Sequence, residues 1–67
     1  MTPKRPRTLG DLADSPTGIG RLADGTRVRV AQRCGTGLVW MRREDPTRET
    51  GWGDIEIRRA DEELEHV

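Results

Sequence analysis

Sixty-seven residues, 31% of them apolar and 36% charged, with two tryptophans and no phenylalanine or tyrosine, make one small domain that buries only about 60% of the surface its unfolded chain exposes. A single cysteine, Cys34, excludes an internal disulfide, and with His66 as the one other soft ligand it falls short of the four that structural zinc takes. No apolar run approaches the roughly 20 residues needed to span a bilayer, so neither metal, cofactor nor membrane is expected.

Formal net charge is zero, but residues 1–43 carry nine basic against three acidic side chains, a net of +6, and residues 44–67 carry three against nine, a net of −6. Halves of opposite sign can attract each other or present separate surfaces to partners. The N-terminal MTPKRPRTLG has basic residues without a following apolar segment, so a secretory signal is not expected and the cytoplasm is the default location. The composition leans toward disorder, yet the apolar residues gather between Ile19 and Ile57. The expectation is a folded centre with loose ends.

In chain order, Met1–Arg7 holds two prolines and three basic residues. It reads as a flexible basic arm over residues 1–8, either a solubilising tail or an arm that touches phosphate. Thr8–Ala13 could form one short helical turn or an irregular edge, with Leu9 and Leu12 spaced to press one side onto a core. Asp14–Gly18 is a turn cluster, and Gly18–Leu22 reads as a first short strand. Asp24-Gly25 supplies the positive φ that a tight hairpin needs. Beyond it, Arg27–Arg33 alternates with period two, turning Val28 and Val30 to one side and Arg27, Arg29 and Arg33 to the other.

After a Gly35-Thr36-Gly37 turn, Leu38–Arg43 forms a third strand, with Leu38 and Trp40 pointing one way and Val39 and Met41 the other. Val28, Val30, Leu38 and Trp40 read as structural. A loop over 44–50 leads to Gly51-Trp52-Gly53, and Asp54–Arg58 alternates again, with Ile55 and Ile57 expected inward. Ala60–Val67, with only Leu64 and Val67 as anchors, reads as a frayed helical turn or a disordered acidic tail.

The ordered set Gly20-Arg21-Leu22, Gly25-Thr26-Arg27-Val28-Arg29-Val30, Trp40 and Thr50-Gly51-Trp52 resembles the bacterial SH3-like domains over about residues 18–58. The resemblance implies an all-β fold, a partly open antiparallel barrel of about five short strands over residues 9–58, serving as a binding module. The usual opening strand of that family has no counterpart in TLGDLADSPTG. Similar barrels of the Tudor and ribosomal KOW types bind nucleic acid or protein, and fold alone does not choose among these uses.

Two groups of side chains are candidate sites. Trp40 and Trp52 either fill the core or line a groove beside arginines, where tryptophan and arginine are enriched at binding hot spots. Neighbouring strands are expected to bring Arg27, Arg29, Arg33, Arg42 and Arg43 onto part of one sheet face, as a solvated surface balanced by acids or as an electropositive patch. The Gly-x-Gly triplets lack the strand-to-helix context of a phosphate loop and read as β turns. Cys34 reads as a small buried hydrophobe, and no nucleophile–base pair stands out. The expected role is therefore non-enzymatic: recognition of another protein through a basic sheet face, as an adaptor or regulator. The alternative is nucleic-acid binding through the same arginines and the arm. Pairing of exposed strand edges would give a homo-oligomer.

Overall fold

The computed structural model describes residues 6–65 and is mostly β: a five-residue helix α1 (Leu9–Ala13) precedes strands β1 (Ile19–Arg21), β2 (Arg27–Cys34), β3 (Leu38–Arg43) and β4 (Glu56–Arg59). The strands form one antiparallel sheet in chain order, β1-β2-β3-β4. This agrees with the all-β expectation at the level of class, with four strands among the described residues where about five were expected. Residues 1–5 of the basic arm, together with His66 and Val67, lie outside the described residues.

Helix α1 is too short to persist alone, and two devices hold it. Thr8 and Asp11 form a capping box: the Thr8 hydroxyl accepts from the Asp11 amide, and the Asp11 carboxylate accepts from the Thr8 amide. Leu9 and Leu12, on one side of the turn, are completely buried. Thr8 is thereby fixed at a helix cap, although the sequence grouped it with the flexible arm. Beneath the helix, Gly20 in β1 makes room for Leu12: a Cβ there would stand 2.8 Å from a Leu12 methyl.

The β1–β2 hairpin follows the Asp-Gly signal by a different route. The Leu22 amide donates to the Thr26 carbonyl, the Asp24 carboxylate accepts from the Thr26 amide, and Gly25 alone takes positive φ, at 89°. Three residues thus turn the chain, with glycine at the one position that needs the left-handed region. The expected Gly35–Gly37 turn joins β2 to β3, with both glycines at positive φ.

The core consists of Leu9, Leu12, Leu22, Val28, Val30, Val39, Met41 and Leu64. Val28 and Val30 face it as their alternation predicts. On β3, however, Val39 and Met41 are the buried residues, while Leu38 is exposed and Trp40 half-buried. β3 is apolar on both faces, so its alternation names two candidate inner faces; register with Val30, opposite Met41, decides between them. Ile57 pairs with Trp40 on the outer face, and Ile55 and Ile57 are 46% and 60% exposed, so their inward assignment is overturned. β4 is an edge strand whose inner positions are filled by Glu56 and Arg58, opposite Met41 and Val39.

The C-terminal segment is also unlike the expected loose tail. The Ala60 amide donates to Gly37, the Leu64 amide to Arg7 and the Glu65 amide to Arg21, and the Leu9 and Gly10 amides donate to Glu62 and Ala60. Bridges Thr8↔Glu63 and Leu22↔Leu64 carry this segment across the open side of the sheet, where Leu64 is 5% exposed. One leucine is thus enough to bring the acidic segment 60–65 onto the core, because the segment also satisfies the backbone groups of α1.

Candidate functional site

Between Val30 and Gln32 the β2–β3 register slips by one residue. Such a bulge at Ala31 reverses the facing of everything after it on that strand. Before it, Arg27 and Arg29 face outward. After it, Gln32 stands opposite Trp40 on the outer face, and Arg33 stands opposite Val39 on the helix side. Arg33 there donates through Nη2 to the Gly10 carbonyl at 3.2 Å and forks onto Asp14 through Nε and Nη2, at 3.3 and 2.9 Å. That pair holds the Asp14 carboxyl below its usual range and raises the Arg33 guanidinium. Arg43, opposite Val28, lies at the rim of the core side and bonds Glu56 at 2.9 Å. The five arginines therefore do not share one face: Arg27, Arg29 and Arg42 are on the outside, Arg33 and Arg43 on the inside.

Arg27 is neutralised by Glu44 at 2.6 Å, and its guanidinium carbon stands 5.7 Å from the centre of the Trp52 ring, within cation–π range. The remaining two form the core of the site. Arg29 and Arg42 are direct cross-strand partners, and among the described residues neither makes an ion pair or side-chain hydrogen bond, whereas Arg27, Arg33, Arg43, Arg48, Arg58 and Arg59 each have a carboxylate. Like charges directly opposite on a sheet are destabilising, so the fold carries this pair at a cost.

Arg29 and Arg42 line a cleft of about 510 Å³ bounded by Ser15–Gly18, Thr50 and Trp52. Its lining contains hydroxyl, guanidinium and indole groups, and no Asp, Glu, His or Cys. Gly18 shapes one wall: φ is 68°, and a Cβ would lie 2.5 Å from the Val30 carbonyl oxygen, while the Val30 amide donates to Gly18 at 2.8 Å. The Ser15–Gly18 turn is thereby laid against β2 with no space for a side chain.

Trp52 is positioned by the 44–53 loop. Asp45 accepts from the Thr47 amide and hydroxyl, the Asp45 amide donates to Gly51, and the Gly53 amide donates to Arg43. The Thr50 hydroxyl both accepts from the Trp52 amide and donates to its carbonyl. Half-buried, the indole also borders two neighbouring depressions, one toward Arg48 and Asp54 and one toward Arg27 and Glu44. Trp40 lies elsewhere on the outer face, between Gln32 and Ile57; its indole N–H is buried and has no acceptor among the described residues.

Sequence reasoning named Arg29, Arg42 and Trp52 but missed the hydroxyl-bearing turn at Ser15–Thr17 and Thr50, whose approach depends on long-range packing. Among the described residues, no cluster of three potential metal ligands occurs, and no helix is long and apolar enough to cross a membrane. Comparison with protein-family models, curated proteins and solved structures returns no match.

Proposed function

We propose that this chain is a non-enzymatic recognition module that binds an acidic segment of another protein in the cleft between the Ser15–Gly18 turn and Trp52. The observation that carries the reading is the uncompensated Arg29–Arg42 pair lining a cleft without a single carboxylate. Two guanidinium groups offer forked, charge-assisted donors to a partner's carboxylates, and a ligand that neutralises them also relieves their mutual repulsion. Trp52 supplies the rigid amphipathic surface common at interface hot spots. The cleft lining sets no general base beside its Ser15, Thr17 and Thr50 hydroxyls, which favours binding over turnover.

We read the fold as a small SH3-like barrel opened on one side; the isolated bridges of the C-terminal segment to Thr8 and Leu22 support the reading. Zero net charge and the scarcity of stacking aromatics favour a protein over a nucleic acid, whose binding domains are generally basic as a whole.

The test uses Arg42→Glu and the double variant Arg29→Ala/Arg42→Ala. Host proteins captured by the wild-type chain are identified by mass spectrometry, purified and rebound. Both variants are expected to lose at least tenfold in affinity, while Arg42→Glu, now opposite Arg29, gains about 0.2–1 kcal/mol in urea unfolding. A partner that rebinds both variants at wild-type affinity defeats the proposal. Tight binding of a single-stranded oligonucleotide, weakening steeply with salt, would replace it with the nucleic-acid reading.

A further inference from the structure

Among the described residues, three of the four exposed large hydrophobics, Leu38, Ile55 and Ile57, lie along β4, Leu38 opposite Arg59 at one end and Ile55 just before the other. β4 is an edge strand, and among the described residues its only strand partner is β3. Ile57, 60% exposed, stands beside Trp40 on the outer face. An edge with apolar side chains and unpaired backbone groups is a template for another strand.

Edges are usually blunted by charge, and β4 carries Glu56, Arg58 and Arg59. Their order makes the edge self-complementary instead. Glu56 and Arg58 flank Ile57 symmetrically, so two copies of β4 running antiparallel about a two-fold axis through Ile57 place each Glu56 opposite Arg58 of the second copy. Within one chain Glu56 already pairs with Arg43 at 2.9 Å and Arg58 with Glu62 at 2.6 Å, so the second copy extends these ion pairs without setting like charges against each other. The two Ile57 side chains then meet on the outer face, extending the Trp40–Ile57 row across the axis, and Ile55 lies beside the aliphatic stem of Arg59 of the second copy. Cross-strand pairs of opposite charge and of apolar residues are the favourable ones in a sheet.

We propose that the chain self-associates through β4, forming a continuous eight-stranded antiparallel sheet from two four-stranded ones with Ile57 on the two-fold axis. An isologous contact of this kind closes at two copies. The strand is only four residues long, so the buried area falls below about 1,200 Å² and the dimer is a weak one. The Arg29–Arg42 cleft has no residue of β4 in its lining, although Ile55 shares a neighbouring depression with Arg42 and Trp52, and the proposal does not depend on what the cleft binds.

Sedimentation velocity on the full chain, from about 10 μM to about 1 mM, spans the range for a small interface. A concentration-dependent dimer is expected, and Ile57→Lys is expected to weaken it at least tenfold while leaving the circular dichroism spectrum unchanged. Register is tested in a Cys34→Ser background: Ile57→Cys should form a disulfide-linked dimer on mild oxidation, because the paired positions are within bridging distance, whereas Ile55→Cys should not. A chain that remains monomeric throughout, an Ile57→Lys variant that dimerises like the wild type, or oxidative cross-linking at position 55 instead of 57 would each overturn the proposal. Dimerisation that survives Arg29→Ala/Arg42→Ala, alongside lost partner binding, separates the two surfaces.

Discussion

Single side chains here are tuned mostly by neighbours a few residues away. The Thr26 amide lowers the Asp24 carboxyl, the Thr47 hydroxyl and amide lower Asp45, and the Arg33 fork lowers Asp14. All three fall below the ordinary value of 3.8. A carboxyl whose folded-state pKa is depressed adds stability that is present above its unfolded value and lost as pH falls through the folded one. The urea midpoint should therefore hold steady down to about pH 5 and decline below about pH 4. Asp24→Asn and Asp45→Asn keep the turn-forming side-chain oxygen but cannot ionise. Combined with Asp14→Asn they should flatten that decline, and an unchanged acid slope would show that other groups set it.

At the scale of elements, the hairpin turns and the inner face of β2 were legible in the sequence because glycine conformation and period-two alternation are local properties. What alternation could not supply was the bulge at Ala31. No residue type announces it, yet it moves Arg33 from the outer face to Asp14 and divides a run of outwardly equivalent arginines between two surfaces. The helix–sheet contact makes a sharp prediction of its own. Gly20 lies against Leu12, so close that a Cβ at this position would meet the leucine methyl at 2.8 Å. Gly20→Val should therefore cost about 1–3 kcal/mol in chemical denaturation through overpacking, despite the valine's better strand propensity. Stabilisation by this change would mean that α1 yields freely.

For the molecule as a whole, the C-terminal segment is the largest departure from expectation. Residues 60–65 supply backbone acceptors to Leu9 and Gly10 and bury Leu64 against the core. Leu64→Ala should cost about 2–5 kcal/mol, a large part of the roughly 3–10 kcal/mol that a domain of this size holds. Thermal unfolding would then begin near physiological temperature. A loss within about 0.5 kcal/mol, the range of surface substitutions, would mark the segment as a dispensable tail. The same small size leaves Ile55 and Ile57 outside: with eight core residues beneath one sheet, there is no second layer to cover the outer face of β4.

By itself the sequence determined the β class, the places where the chain turns, the inward face of β2, and a short roster of arginines and tryptophans from which a site could be built. These follow from local physics, namely glycine at positive φ, side-chain alternation and the spacing of charge along the chain. Only the tertiary structure decided which face of β3 is inside, which arginines are neutralised, and that an acidic tail closes the core. Each of those depends on the register between strands or on partners distant in sequence, from Arg43 with Glu56 and Arg33 with Gly10, 13 and 23 residues apart, to Leu9 with Glu62 at the two ends of the fold. The candidate site is what remains after that pairing: the two arginines, Arg29 and Arg42, that the fold sets side by side on β2 and β3 without a carboxylate of their own.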